Sequence, residues 1–242
     1  MGTTTAAPAP PGVDDEAALV GGPPGRPGLS WRQLAVLVAA VAFLGGALGY
    51  VLGTRSDRPD ADSVDVGFYQ DMITHHEQAL EMAVAVLADG SDPSVRSFAR
   101  EILQLQSYEI GLMTQRLVDW GYDPADRPDS AMSWMGHALP VDVMPGLATP
   151  DQMRALRDAQ GPAVDALFLV LMAAHHVGGV DMAEYAADHA SGDDVRDLAA
   201  AMARNQRIEI NEFANLAERL GLDVDIARPA TPGEVDHEDH SG

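Results

Sequence analysis

Two stretches decide the fold of this chain: residues 72–83, MITHHEQALEMA, and residues 171–183, LMAAHHVGGVDMA. At an offset of 100 positions they carry the same uncommon residues in the same order, namely Met72, His75, His76 and Met82, then Met172, His175, His176 and Met182. The agreement extends beyond the two stretches, where Gln106 and Glu109 match Gln206 and Glu209. Because the register never slips, the sequence predicts a structural unit that occurs twice.

Each copy of the unit has the pattern of two helices. Apolar residues and the motif residues recur at three- and four-residue steps, which is typical of one face of a helix. Asp92 followed by Pro93 predicts the start of a helix, since these residue types are favoured as N-cap and first helical residue. The expected helices occupy about 64–89, 93–120, 150–159, 162–190 and 193–220. Four long helices predict an all-α protein, an antiparallel four-helix bundle built from two repeated helix hairpins.

An apolar run before the first copy predicts a membrane helix. Residues 34–53, LAVLVAAVAFLGGALGYVLG, carry no charged side chain. At a rise of 1.5 Å per residue, this run is long enough to cross the roughly 30 Å hydrocarbon core of a bilayer. We therefore expect one transmembrane helix and a single-pass protein of the cell membrane. A cleaved signal peptide and a buried core helix are the alternatives.

The remaining segments follow from composition. The expected segments are a disordered leader at 1–33, a polar linker at 54–62, a bundle at 63–223 and a disordered acidic tail at 224–242. Within the bundle, repeat one covers 64–121, a crossover covers 122–161 and repeat two covers 162–221. Most of the acidic excess follows the apolar run, and such a domain is a natural exported cargo. We therefore expect residues 54–242 to be extracytoplasmic.

Charge and cysteine content exclude several classes of function. The chain has 15 basic residues, all Arg, against 37 acidic ones, and a formal net charge of −22. Nucleic-acid binding is excluded, because neutralising phosphates requires a basic face. The absence of cysteine excludes disulfides, thiolate nucleophiles, zinc fingers and iron–sulfur clusters.

The paired histidines and methionines predict a metal site. Positions three, four and seven apart share a face of a helix, so Met72 lies one turn from His75 and His76, and Met82 lies two turns beyond His75. We expect the two copies to bring all eight donors into one neighbourhood. Imidazole and thioether together suit copper, above all Cu(I), and another divalent metal is the alternative.

Polar residues on the partner helices are candidates for supporting this site. Glu109 and Glu209 are expected to accept the second imidazole N–H, with Gln106 and Gln206 three residues before them. Direct ligation by the glutamates is the alternative, and it would favour a di-iron or di-manganese site. Asp65 and Asp165 are expected to be first-turn residues that interact favourably with the helix dipole.

The two His-His stretches, together with residues 145–168 (PGLATPDQMRALRDAQGPAVDALF), resemble the domain-of-unknown-function-305 family over about residues 62–222. The resemblance implies a ferritin-like four-helix bundle, usually exported and often membrane-anchored, with copper binding outside the cytoplasm in some members. It also implies a metal-binding role for the eight His and Met residues of the two motifs. The second copy departs from the family, because Val177 replaces an acidic residue and Gly178 and Gly179 lie within a helix. Either a neighbouring backbone approaches closely there or the second site has drifted.

Two further groups of residues have weaker patterns. Met132, Met135, His137 and Met144 in the crossover either pass copper to the bundle or cap its open end. His237 and His240 in the acidic tail either capture divalent ions weakly or are simply solvated.

The sequence thus predicts a membrane-anchored, extracytoplasmic protein that binds copper for sequestration or delivery, and no catalytic motif favours an enzyme. One alternative is a ferritin-like di-metal oxidase, although the Glu-x-x-His pairs of such sites are absent. The other is a structural or interaction bundle whose histidines form a polar core. The expected partners are a metal ion and the membrane, while a protein partner, including a second copy in a homodimer, stays open.

Overall fold

The computed structural model describes residues 2–3, 30–56 and 58–228 of the chain. These residues belong to two compact units, Met1–Gly53 and Thr54–Gly242. Most of the leader expected at 1–33 and most of the tail expected at 224–242 lie outside the described residues, as do His237 and His240.

The described residues include six α-helices. The helices are α1 (Trp31–Ser56), α2 (Val64–Asp89), α3 (Pro93–Asp119), α4 (Pro150–Asp158), α5 (Pro162–His189) and α6 (Asp193–Arg219). Cap chemistry explains several of the boundaries. The Asp92 carboxylate accepts from two backbone N–H groups at the start of α3, and Thr149 and Gln152 form a capping box on α4.

Two of these helices are long and apolar enough to cross a membrane. In α1 the stretch Trp31–Tyr50 has a mean hydropathy of 1.9 and is entirely exposed. A signal sequence near an N-terminus satisfies the same criteria of length and composition. Helix α5 has a mean hydropathy of 1.6, but 67% of its most apolar window is buried in the protein, which is the property of a core helix.

The four long helices of the second unit form a bundle from two hairpins, α2–α3 and α5–α6. Helices α2 and α5 pack against each other and run antiparallel, as the contacts at both ends show. The Gly161 N–H before α5 donates to the Asp89 carbonyl at the end of α2, at 2.9 Å. At the other end, the Asp65 carboxylate accepts from the N–H groups of Ser191 and Gly192. The all-α helical bundle predicted from the sequence is confirmed.

The bundle core consists of two clusters of apolar side chains, one toward each end. The Met72 cluster, around the start of α2 and the end of α5, includes Phe68, Met72, Met113, Trp134, Met182 and Met202. The Met82 cluster, around the end of α2 and the start of α5, includes Met82, Ile102, Phe168, Met172 and Phe213. Burying each of these large side chains contributes about 1.5–3 kcal/mol relative to exposure.

The crossover between the hairpins contains more structure than its composition predicts. Strands β1 (Ser130–Ala131) and β2 (Leu139–Pro140) form a short antiparallel ladder around a 3-10 turn at Ser133–Met135. The buried Asp71 carboxylate of α2 accepts from the Met132 N–H and the Trp134 indole N–H, both at 2.7 Å. These two bonds attach the crossover to the bundle, and no pattern in the sequence predicted them.

Candidate metal centre

The four motif histidines lie in a row between the two core clusters. All four are fully buried. The rings of His75 and His175 face each other across the α2–α5 contact, with centroids 3.6 Å apart. His76 and His176 extend the row outward, at 6.4 and 6.2 Å from the ring of the adjacent histidine on the same helix. The antiparallel packing therefore brings both His-His pairs to a single layer of the bundle.

Each outer histidine forms a hydrogen bond with a glutamate of its own hairpin. The His76 Nε2 atom lies 2.9 Å from the Glu109 carboxylate, and His176 Nε2 lies 2.6 Å from Glu209. Because a carboxylate only accepts, each imidazole donates from Nε2, and the neutral tautomer with this proton has its lone pair on Nδ1. In the inner pair, His175 Nε2 lies 2.9 Å from the backbone carbonyl of His75, which selects the same tautomer.

The remaining ring nitrogens of the row lack hydrogen-bond partners of normal geometry. They are the Nδ1 atoms of His75, His76, His175 and His176 and the Nε2 atom of His75. Folded proteins leave few buried polar atoms unpaired, and those that stay unpaired call for an explanation such as a bound ion. Here all five atoms belong to the same side-chain type, and the Pro145 backbone of the crossover is a polar neighbour of His75.

The inner histidines are held in the neutral form. Burial lowers the pKa of His75 well below its usual value, and the neighbouring rings of His76 and His176 lower it further. Burial likewise lowers the pKa of His175, reinforced by the rings of His75 and His176. Neutral imidazole is the form that coordinates metal ions, so proton competition at these two positions is weak near neutral pH.

The four motif methionines are fully buried but do not all meet at one point. Met72 and Met182 belong to the Met72 cluster, whereas Met82 and Met172 belong to the Met82 cluster. The single neighbourhood of eight donors expected from the sequence is therefore wrong in this respect. The reason is the antiparallel packing of α2 and α5. Met72 precedes the histidines of α2 and Met182 follows those of α5, so these two methionines lie at the same end of the bundle. Met82 and Met172 lie at the other end for the same reason.

Carboxylates do not converge on the histidine row as they would in a di-iron site. Within residues 2–3, 30–56 and 58–228, no group of three or more His, Asp or Glu side chains is arranged to hold a metal ion. The oxygens of Glu109 and Glu209 that face the row are engaged with imidazole nitrogens. A metal bound in this layer would need other donors, and thioether sulfur is the type that the motif supplies.

Gln106 and Gln206 also lie in the interior. Both are buried, and the side-chain oxygen of each lacks a hydrogen-bond partner among the described residues. Each glutamine precedes by one turn the glutamate that binds a histidine. The interior of the two hairpins thus contains the same polar side chains at equivalent positions.

Asp65 and Asp165 have a larger role than the dipole interaction expected for first-turn residues. Each is buried and binds the loop of the opposite hairpin. Asp165 accepts from the N–H and hydroxyl of Ser91 and from the N–H of Asp92, while Asp65 accepts from Ser191 and Gly192. These exchanged contacts hold the two hairpins together at both ends of α2 and α5.

The two glycines of the second copy are explained by close approach. A Cβ atom at Gly178 would overlap the backbone carbonyl of Pro145 in the crossover. At Gly179 it would overlap the side-chain amide of Gln206. The first of the two explanations offered by the sequence, close approach of a neighbouring backbone, is therefore correct for Gly178.

The crossover methionines are divided between the core and the surface. Met132 and Met144 are buried in the Met72 cluster, and Met135 packs against it. His137 is exposed. The Gln78 side chain binds the crossover at Ala148, a contact that was not predicted from the sequence. The difference between Gln78 and Gly178 at equivalent positions of the two copies was the available signal.

Comparisons with known proteins agree with this architecture. A family model described as domain of unknown function (DUF305) matches residues 65–217. A crystal structure of a DUF305 protein from Streptomyces coelicolor aligns with a TM-score of 0.63 and 34% identity, over 71% of this chain and 99% of that one. A DUF305 fragment from Deinococcus radiodurans aligns with a TM-score of 0.55 and 29% identity, over 64% of this chain and 96% of that one.

A third solved structure is CopM in the Cu(I)-bound form. It aligns with a TM-score of 0.49 and 24% identity, over 64% of this chain and 96% of that one. No curated protein sequence matches the chain.

Proposed function

We propose that this chain, which belongs to the DUF305 family, is a membrane-anchored, extracytoplasmic bundle that binds copper for sequestration or delivery. The observation that carries the proposal is the row of four buried imidazoles with unpaired Nδ1 atoms. The tautomers of His76, His176 and His175 are set by Glu109, Glu209 and a backbone carbonyl, so the Nδ1 lone pairs of these three rings are available for coordination.

The chemistry of the donors favours copper over harder metals. Imidazole nitrogen and thioether sulfur are borderline and soft ligands, and a soft ligand set selects Cu(I). The methionine pairs at the two ends of the row offer thioethers on either side of the histidines. We therefore expect Met72 with Met182, and Met82 with Met172, to complete the coordination that the histidines begin.

Anchoring and location rest on α1 and on charge. The exposed apolar stretch Trp31–Tyr50 has the length and composition of a membrane span. The net charge of −22 would concentrate cations near the domain through its electrostatic field.

The test is a competitive titration of the purified full chain in detergent with Cu(I) under reducing conditions and with Cu(II) under oxidising conditions. Elemental analysis of the purified protein accompanies it. We expect tight Cu(I) binding that disappears when His75, His76, His175 and His176 are all changed to alanine. Iron or manganese held through Glu109 and Glu209 would instead favour the oxidase, and no retained metal would contradict any metal-binding function.

Because the four-histidine variant removes buried groups, a second set of variants protects the test against misfolding. The pairs Met72→Leu with Met182→Leu, and Met82→Leu with Met172→Leu, keep side-chain volume and are tolerated in most cores. Met153→Leu, a buried methionine of α4 outside the motif, is the matched control. We expect each pair to weaken Cu(I) binding by about tenfold or more while the control does not, with circular dichroism unchanged in all three.

A further inference from the structure

Residues 145–148 of the crossover, called here the strap, cross the outside of the α2–α5 contact. The strap backbone at Pro145 lies against Gly178 so closely that no side chain fits between them. The next residue, Gly146, has a φ of 84° and lies directly over the backbone carbonyls of Ala174 and His175. The strap therefore covers the helix segment that carries the inner histidine of the second copy.

The other end of the strap is held by the first copy. The Gln78 side chain donates to the Ala148 carbonyl at 2.9 Å and accepts from the Ala148 N–H at 2.7 Å. Gln78 and Gly178 occupy equivalent positions of the two copies, 100 residues apart. Helix α2 thus holds the strap with a pair of hydrogen bonds from Gln78, and the strap packs against α5 at Gly178, where there is no side chain.

The histidine row is shielded from solvent in this arrangement. All four rings are fully buried, and five surface cavities of the described residues are lined by other side chains. A metal ion reaches the row only if some part of the protein moves. The helices are secured along their length by backbone hydrogen bonds and by both core clusters. The strap has no helical hydrogen bonds, and only Leu147 and Ala148 of its residues pack against the clusters. Segments with fewer such contacts open at a lower free energy.

We propose that the strap is the gate of the histidine row, and that Gln78 holds it closed and sets the rate at which a metal ion enters and leaves. This inference rests on the proposed copper-binding function. Because opening of the strap precedes both entry and exit, loss of the Gln78 bonds accelerates both steps and leaves the dissociation constant nearly unchanged. Gly178→Ala acts in the same direction, since its Cβ pushes the Pro145 carbonyl away from α5.

The experiment follows Cu(I) release from the loaded full chain to excess chromophoric Cu(I) chelator by stopped-flow absorbance. In the wild type, the release rate should reach a plateau as chelator concentration rises, because strap opening becomes limiting. Gln78→Ala should raise that plateau by about fivefold to a hundredfold, the effect of losing two hydrogen bonds. Gln115→Ala, which removes an exposed glutamine of α3 bonded to Asp119, is the matched control and should release Cu(I) at the wild-type rate.

Two measurements distinguish the ways in which the inference fails. An equilibrium titration reports binding: if the wild type binds no Cu(I), the proposed function fails and the gate fails with it. If binding is normal but Gln78→Ala and Gly178→Ala release Cu(I) at the wild-type rate, the gate alone is overturned. Amide hydrogen exchange of the metal-free protein adds a third check, since both variants should speed exchange in residues 146–149 but not in α2 or α5. Unchanged exchange there would overturn the role of Gln78.

Discussion

The two hairpins are alike inside the bundle and different where the crossover touches them. In both hairpins a buried histidine bonds to the glutamate 33 residues later, His76 to Glu109 and His176 to Glu209. In both, the first-turn aspartate, Asp65 or Asp165, binds the loop of the other hairpin. Equivalent interior positions therefore make equivalent contacts.

The outer surfaces near the histidines have diverged. In the first copy, Thr74 and Glu77 bind Arg127 of the crossover, with the Thr74 hydroxyl 2.6 Å and the Glu77 carboxylate 2.9 Å from its guanidinium. The second copy has Ala174 and Val177 at these positions. One crossover serves both copies, so the two copies cannot meet it in the same way. The interior that carries the histidines and the surface that faces the crossover are therefore under separate physical constraints.

The largest expected effect is on Asp65 and Asp165, each of which binds the loop of the other hairpin. Replacing them tests whether the two equivalent contacts contribute similarly to the free energy of unfolding. Asp165→Ala should lower the free energy of unfolding by about 3 kcal/mol and Asp65→Ala by about 2 kcal/mol, because the former leaves three donor groups unpaired and the latter two. Urea unfolding followed by circular dichroism measures both. Asp193→Ala, an exposed first-turn residue of α6, is the control and should change stability by less than about 0.5 kcal/mol. Equal losses for all three would show that the exchanged contacts contribute nothing.

The next largest effect is on Cu(I) affinity, and it shows whether the two halves of the histidine row are equivalent. Glu109→Ala and Glu209→Ala should each weaken Cu(I) binding by about 10- to 100-fold, because each removes the acceptor that orients one imidazole. Competitive titration measures the affinities, with Glu212→Ala on the exposed face of α6 as the control. If only one of the two glutamates matters, only the corresponding half of the row binds metal.

A pair of glycine substitutions separates the two kinds of close approach in the second copy. Gly178→Ala should destabilise the protein by about 2 kcal/mol, because the obstructing atom belongs to the crossover backbone and cannot rotate away. Gly179→Ala should be neutral or stabilise by up to about 1 kcal/mol, because the Gln206 amide can rotate and alanine favours a helix. The first copy already has an alanine, Ala79, at the equivalent position. Thermal unfolding of the two variants compares them directly, and a larger loss for Gly179→Ala would contradict the argument.

The smallest effect is the pH dependence of stability without metal. The pKa values of His75 and His175 are lowered in the folded protein, so below about pH 6.5 the unfolded chain binds more protons than the folded one. Stability should therefore fall as the pH falls, by about 1 kcal/mol for each of these histidines between pH 6.5 and 5.5. Replacing either His75 or His175 by glutamine should remove about half of that slope, as urea unfolding at several pH values would detect. An unchanged slope in both variants would mean that other groups cause it.

Local chemistry explains the parts of this protein that could be predicted. The 3.6-residue period of apolar positions predicted the four long helices, and Asp92, Pro93 and Thr149 marked helix starts that the structure contains. The repeated His-His motif predicted which residues would share a helix face. These inferences need information from only one or two turns of the chain.

Contacts between distant segments could not be predicted in the same way. Asp65 accepts a hydrogen bond from Ser191, 126 residues away, and Gln78 bonds to Ala148, 70 residues away. No local pattern encodes which loop a buried carboxylate will meet. The crossover also appeared featureless in composition, although Asp71 binds it through Met132 and Trp134.

The sequence by itself determined the helices, the repeated unit, the family and the histidines and methionines that are candidates for binding metal, because periodicity, capping and residue chemistry act over short distances. Only the tertiary structure decided how those donors are grouped, since the antiparallel packing of α2 and α5 joins the histidines in one row and divides the methionines between its two ends. It also decided that a single strap covers the row, because one connection between two hairpins must pass over one side of them.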